Sequence, residues 1–155
     1  MEAINTAFDQ VAQQHEEIHG IIAELRLFLE TPRPDVGEKG AHSWSTKLSE
    51  HLLLLHDKLY RHFRDEERTG FLGELNRAFP RASRAIDALC KEHDWILRNL
   101  GSLLSASICY SAGRAPENPQ LRRWALSLVE HLERHEREET DLYQRLQYED
   151  LGVGD

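Results

Sequence analysis

Apolar residues recur three and four positions apart along four long segments of this chain. This spacing places them on one face of an α-helix and is typical of the seam between helices in a left-handed bundle. The connections between the segments are short or moderate, so neighbouring helices should run antiparallel. The sequence therefore predicts an all-α fold, an up-down-up-down antiparallel four-helix bundle.

Capping residues and chain breaks indicate where the helices should begin and end. The first helix should end at Glu30, shortly before two prolines. The second should take Ser43 or Ser45 as its N-cap, and the fourth should take Asn118. A short helical piece over residues 71–79 should connect the second helix to the third.

Six polar residues occupy seam positions that a bundle would otherwise fill with apolar side chains. They are His15, His62, Glu66, His93, His135 and Glu139. Counted from the helix ends at a rise of about 1.5 Å per residue, their depths in the bundle differ by roughly one turn. Burying carboxylates together with imidazoles is costly unless each group is paired or coordinated, and a metal ion removes that cost. We therefore interpret the six residues as metal ligands.

The metal interpretation depends on the whole set and not on any one pair. A His-x-x-x-Glu pair alone is more often a solvated surface pair, and a lone histidine on a seam is more often a hydrogen-bonded core residue. The sequence also repeats, because residues 8–18 align with 86–96 and residues 59–66 align with 132–139. Two helical hairpins would each supply two histidines to one ion, with both glutamates bridging the ions. Four protein ligands per ion leave room for a bridging oxygen and an exogenous ligand.

The order His, His-x-x-x-Glu, His, His-x-x-x-Glu, with the stretch QQHEEIHGI around the first histidine, resembles the hemerythrin-like proteins, also called the HHE cation-binding domain. The likeness covers nearly the whole chain. It implies a centre of two iron ions joined by an oxo or hydroxo group. It also implies that dioxygen, nitric oxide or peroxide binds at an open iron position. The spacing by itself would not select iron over manganese or zinc.

The chain differs from the oxygen-carrying hemerythrins of invertebrates at two ligand positions. Their third helix has a second histidine one turn after the first, where this chain has Leu97. Their last carboxylate is an aspartate five residues after its histidine, where this chain has Glu139 four residues after His135. The chain looks closer to bacterial proteins with four histidines and two glutamates, some of which resemble iron-sulfur repair or nitric-oxide-handling proteins.

Other residues near the six compete for a role at the site. His19 lies one turn after His15, just off the seam, and aligns with Leu97 in the internal repeat. It is either an additional metal ligand or a flanking histidine that forms a hydrogen bond or faces solvent. His131 is expected at the flank. Tyr143 either hydrogen-bonds a carboxylate or lies at the edge of the core, which is the commoner role for such a tyrosine.

Length and charge exclude several classes of protein. The 155 residues fit one hemerythrin-like four-helix domain, which we assign to residues 1–148, with a disordered tail at 149–155. A net charge of −8 without a basic cluster argues against a nucleic-acid partner. The longest purely apolar run, Leu52 to Leu55, is far shorter than the roughly 18 residues of a membrane span. We expect a cytoplasmic protein with no membrane partner, and no sequence feature identifies a protein partner.

Three functions remain open at this stage. The first is a non-haem di-iron protein that binds or reacts with a small ligand in redox or nitrosative stress response or sensing, as an enzyme or otherwise. The second is a reversible oxygen-binding or storage protein. The third is a structural or zinc-binding helical interaction module, in which the polar residues specify the register of the bundle. A ferritin-like site is disfavoured because it needs Glu-x-x-His on two helices, and only Glu16 with His19 has this spacing on a predicted helix.

Overall fold

The computed structural model describes residues 2–32, 37–68, 70–114 and 120–152. Within these ranges the chain is almost entirely helical and contains no strand, so the all-α class is confirmed. The helices are α1 (Glu2–Glu30), α2 (Gly37–Arg68), α3 (Phe71–Ala78), α4 (Ser83–Ser111) and α5 (Leu121–Gly152), with a short 3-10 helix (Pro80–Ala82) before α4. None of the helices in the described ranges is long and apolar enough to cross a membrane.

The four long helices pack in a closed ring in which each contacts two others. The neighbouring pairs are α1 with α2, α2 with α4, α4 with α5, and α5 with α1. Residue numbers run in opposite directions across each pair: between α1 and α2, Glu17 bonds Lys58 and Gln14 bonds Asp65. Across the other three pairs, the hydrogen bonds likewise join residues whose numbers rise along one helix as they fall along the other.

The apolar seam residues form the core of this bundle. Each one whose side chain is described is buried. They fall into two apolar clusters separated by the polar seam residues. The larger cluster contains Ile18, Leu52, Leu100 and Leu132, and the smaller contains Phe8, Leu75, Ile86 and Leu146. The polar residues are therefore enclosed between two apolar regions.

Helix α3 covers the end of the bundle nearer the polar residues. Gly70 makes the turn from α2 with φ of 90°, in the left-handed region that favours glycine. The turn directs Phe71 into the core, where its ring packs edge-on against Phe8 and Tyr143 with centroids 5.4 and 5.2 Å away. The predicted connecting helix is confirmed, and it closes the smaller apolar cluster.

The beginning of α2 differs from the prediction. The helix starts at Gly37, so Ser43 and Ser45 lie inside it and are not N-caps. Ser45 is fully buried, and its hydroxyl donates to the carbonyl of Ser107 on α4 at 2.9 Å, while the Ser107 hydroxyl donates back to the Ser45 carbonyl at 2.9 Å. Each hydroxyl thus donates to a backbone carbonyl of the facing helix, so Ser45 joins α2 to α4 and does not accept a backbone N–H as an N-cap would. Buried Trp44 extends the apolar face in the same turn.

The other predicted boundaries fall near the edges of the described ranges. Helix α1 ends at Glu30 as predicted, whereas Asn118 and its neighbours 115–119 lie outside the described residues. Helix α5 continues to Gly152. It therefore includes residues 149–152 of the segment predicted as a tail, and residues 153–155 lie outside the described ranges.

Two adjacent leucines of α2 give a direct test of the core. Leu52 is fully buried, whereas the side chain of Leu53 is 58% exposed. We expect Leu52→Ala to lower the free energy of unfolding by about 3 kcal/mol, because it leaves a cavity in a packed core, and Leu53→Ala to lower it by less than about 0.5 kcal/mol. Urea denaturation of both variants measures this difference. Equal losses of unfolding free energy in the two variants would show that α2 does not turn the Leu52 side of the helix to the core.

Candidate metal centre

The six polar seam residues meet in the interior of the bundle. His15 is 6% exposed, and the other five are 2% exposed or less. This polar layer consists of His15 from α1, His62 and Glu66 from α2, His93 from α4, and His135 and Glu139 from α5. The structure thus brings together all six residues that the sequence selects.

One half of the polar layer is formed around the histidines of α1 and α2. Nε2 of His15 lies 3.1 Å from Nε2 of His62 and 3.1 Å from Oε2 of Glu139. Nε2 of His62 lies 3.4 Å from Oε1 of Glu66. These four side chains offer ligand atoms that all lie within 4.8 Å of one another, so they could hold one metal ion.

The other half is formed around the histidines of α4 and α5. Nε2 of His93 lies 3.6 Å from Oε2 of Glu66 and 3.6 Å from Oε1 of Glu139. Nε2 of His135 lies 3.8 Å from Oε2 of Glu139. Both glutamates therefore reach histidines of both halves, which is the placement expected of carboxylates that bridge two ions.

A polar side chain outside the layer faces the outer nitrogen, Nδ1, of each histidine. The pairs are His62 with Gln14 at 2.8 Å, His93 with Glu67 at 2.9 Å, His135 with Glu92 at 2.8 Å, and His15 with Thr140 at 3.4 Å. An Nδ1–H that donates to an oxygen fixes the ring plane and leaves the lone pair on Nε2 for a metal. All four imidazoles therefore present Nε2 to the centre.

These outer hydrogen bonds follow the internal repeat of the sequence. In the alignment of the two halves, Gln14 corresponds to Glu92 and His62 corresponds to His135. The bond between Gln14 and His62 therefore has its counterpart in the bond between Glu92 and His135. The other two bonds correspond in the same way. Sequence analysis missed these four partners, although the repeat carries the signal that would pair them.

Tyr143 connects the two glutamates from one side of the layer. Its hydroxyl oxygen lies 3.0 Å from Oε1 of Glu66 and 3.0 Å from Oε1 of Glu139, and its ring stacks over His15 with centroids 6.2 Å apart. The residue also belongs to the smaller apolar cluster. Both alternatives for this tyrosine therefore hold, since it lies at the edge of the core and bonds the carboxylates.

The two buried glutamates have opposite protonation preferences. Burial, together with the negative charge of Glu139, raises the pKa of Glu66 well above its ordinary value. Burial also acts to raise the pKa of Glu139, but the neighbouring imidazoles of His15, His62 and His93 outweigh it and hold that pKa well below the usual range. Without added positive charge, the two carboxylates resist carrying negative charge together.

Several atoms of the polar layer have no hydrogen-bond partner in the described part of the chain. They are Oε2 of Glu66, Oε2 of Glu139, Nε2 of His93 and Nε2 of His135. Leaving a buried polar atom unpaired costs about 1–3 kcal/mol. Ligand atoms about 2.0–2.2 Å from one metal lie roughly 3.0–3.5 Å from each other. The observed separations of 3.1–3.6 Å for most pairs come close to this range, so the residues fit a metal.

Two histidines weighed as further ligands lie outside the two groups of ligand atoms that the described residues contain. Nε2 of His19 lies 3.4 Å from Oε2 of Glu136, and the His19 side chain is 56% exposed. Nε2 of His131 lies 3.4 Å from Oε1 of Glu92, and its ring packs against Trp95 with centroids 4.4 Å apart. His131 thus contacts the residue that orients His135.

Glu136 is a buried residue of this region that sequence analysis missed. It is fully buried, and neither carboxylate oxygen has a hydrogen-bond partner within the described ranges. Burial raises its pKa to about 7. The signal for it is a second row on α5, because Val129, Glu136 and Tyr143 are seven positions apart and all buried. The buried face of α5 is therefore wider than a single seam.

Comparison with known proteins identifies one family. The model of the hemerythrin HHE cation-binding domain matches residues 6–146, which include all six residues of the polar layer. Searches of curated proteins and of solved structures gave no match.

The outer hydrogen bonds can be tested at Glu92. We expect Glu92→Ala to weaken the affinity for Co²⁺ by about 10- to 100-fold, because His135 loses the acceptor that holds its ring and tautomer. Glu138→Ala removes a carboxylate from an exposed position on α5 and is the matched control, with affinity within about twofold of wild type. Competition against a chromophoric chelator measures the Co²⁺ affinity of both variants. Unchanged affinity in Glu92→Ala would show that this bond does not support metal binding.

Proposed function

Because the chain belongs to the hemerythrin HHE cation-binding domain family, we propose that its polar layer holds two iron ions within an up-down-up-down four-helix bundle. His15 and His62 would hold one ion, and His93 and His135 the other. Glu66 and Glu139 would contact both. The observation that carries this proposal is the reach of both glutamates to both halves of the layer.

Two ions are favoured over one because the donor atoms form two groups. A single structural zinc site would use four ligands, and the group around His15 and His62 would be sufficient. It would leave His93 and His135 buried with no hydrogen-bond partner for Nε2 in the described residues. The polar layer is therefore better explained by two cations than by a register-specifying polar cluster with one zinc ion.

When bound, the two iron ions would supply a redox-active open position for dioxygen, nitric oxide or peroxide. The protein's own contribution is to enclose and orient that position. The apolar clusters exclude bulk water from the two sides of the polar layer that they cover. The hydroxyl oxygen of Tyr143 lies 3.0 Å from one oxygen of each glutamate, so its single proton can be donated to either carboxylate or to a group bound between them.

The position of His19 supports reaction with the ligand over oxygen transport. His19 faces Glu136 and lies outside both groups of ligand atoms, so each proposed ion would have two histidines. Glu139 belongs to both groups, and Glu66 belongs to the first and reaches His93 of the second. With at most four protein ligands, each ion would keep an open position, and a ligand could then engage both. We therefore propose a role in redox or nitrosative stress response or sensing, with reversible oxygen storage as the alternative that the enclosed, apolar surroundings favour.

Elemental analysis tests the proposed metal content. Protein expressed in iron-replete medium and purified without an affinity tag should contain about two iron ions per chain. Glu66→Ala and Glu139→Ala should lose most of this iron, because each removes a ligand shared by both ions and leaves metal charge uncompensated. Glu138→Ala should retain it. One zinc ion and no iron in the wild type would contradict the proposal.

Mixing the reduced protein with oxygen tests the proposed reactivity. We expect rapid oxidation of the iron by oxygen. With an added electron donor that re-reduces the iron, we expect consumption of peroxide or nitric oxide over many turnovers, because both proposed ions would have open positions. Absorption spectroscopy and a ligand electrode follow the two processes. Oxygen uptake that reverses under vacuum, and that is lost in His19→Ala, would instead make this a reversible oxygen binder.

A further inference from the structure

The internal repeat is broken beside the polar layer. In the alignment of the two halves, Glu136 corresponds to Phe63, and His19 corresponds to Leu97. Phe63 is buried and stacks on the ring of His93 with centroids 3.8 Å apart. The helices α2 and α4 thus carry two apolar residues, Phe63 and Leu97, at the positions where α5 and α1 carry a carboxylate and an imidazole.

Packing does not explain why a glutamate occupies this position. Glu136 is fully buried, and both of its oxygens lack a hydrogen-bond partner within the described ranges, whereas Phe63 fills the equivalent position with an apolar ring. Burying a carboxylate without a hydrogen-bond partner is costly, and a nearby cation offsets that cost. The nearest basic group is Nε2 of His19, 3.4 Å from Oε2 of Glu136. That separation suits two ligands of one ion, which lie roughly 3.0–3.5 Å apart.

A groove between α1 and α5 is open to solvent and reaches His19 of this pair and His15 of the polar layer. The groove has a volume of about 300 Å³, and both His19 and His15 line it. Asp9 and Glu16 also line it, so the groove carries acidic groups in a chain of net charge −8. An acidic cleft raises the local concentration of cations. The carboxyl of Glu136 also interacts electrostatically with His15 in the polar layer.

We propose that Glu136 and His19 form a third, weaker site for a divalent cation, through which metal passes between the groove and the polar layer. The half-exposed His19 receives the ion from solvent, and the buried Glu136 draws it inward beside His15. With only two protein ligands, the site holds the ion weakly enough to release it. This inference rests on the proposed metal centre, which supplies the destination of the ion.

Metal exchange in the loaded protein tests this site. Protein carrying two Co²⁺ ions is titrated with further Co²⁺ by calorimetry, and the release of the two ions to excess chelator is followed by absorption. The wild type should bind one additional, weaker ion. Glu136→Gln and His19→Leu should lose it and should release the two tight ions about tenfold more slowly, with unchanged tight affinity.

Two comparisons make the result specific to this site. Glu138→Gln removes the same charge from an exposed position two residues away and should behave like the wild type. His19→Leu introduces the residue of the equivalent position in the other half, so it should not disturb the fold, which far-ultraviolet circular dichroism checks.

Three outcomes would overturn the proposal. The first is that both variants bind the additional ion and release the tight ions as the wild type does. The second is that the wild type binds no additional ion. The third is that Glu136→Gln lowers the tight stoichiometry or affinity, which would make Glu136 a ligand of the centre itself. Failure of the wild type to hold two tight ions would contradict the metal centre separately, and the loss of a weak ion in both variants would still support the Glu136 and His19 site.

Discussion

The structure depends on two buried carboxylates shared by four imidazoles. Glu66 and Glu139 each reach histidines from both halves of the bundle, at separations that suit ligands of common ions. Without cations, several of these atoms have no hydrogen-bond partner in the described part of the chain, and the two glutamates resist ionising together. The polar layer is thus costly for an apolar core and suited to metal, which links the fold to a cation-binding function.

The rest of the molecule holds this layer in place. Apolar clusters cover it on two sides, and α3 closes the nearer end of the bundle. The hydrogen bonds that the histidines donate from Nδ1, such as those to Gln14 and Glu92, repeat between the two hairpins, so each half orients its imidazoles in an equivalent way. The asymmetry lies at Glu136 and His19, on the groove side. The repeat is therefore kept in the centre and broken beside it, where Glu136 and His19 lie at the positions equivalent to Phe63 and Leu97.

Much of this arrangement could be predicted from the sequence, because a seam spaced by three and four residues fixes which face of each helix is buried. The same rule placed His93 and Glu139 in the interior before any contact was known. It failed at Glu136, because α5 buries two adjacent rows and a single seam describes only one. It also failed at Ser45, whose hydrogen bonds come from the facing helix and not from its own helix end. The burial of Glu136 and the hydrogen bonds of Ser45 both depend on the distances between helices. The residue pattern along a single helix gives no information about those distances.

The central claim is that the polar layer exists to hold two metal ions, and anomalous diffraction at the iron absorption edge tests it most directly. Crystals of the iron-loaded protein should show two strong anomalous peaks about 3.5–4 Å apart. One peak should lie beside His15 and His62, the other beside His93 and His135, and both should contact Glu66 and Glu139. A layer with no peak, or a single peak that leaves the histidines of one half without metal, would contradict the account.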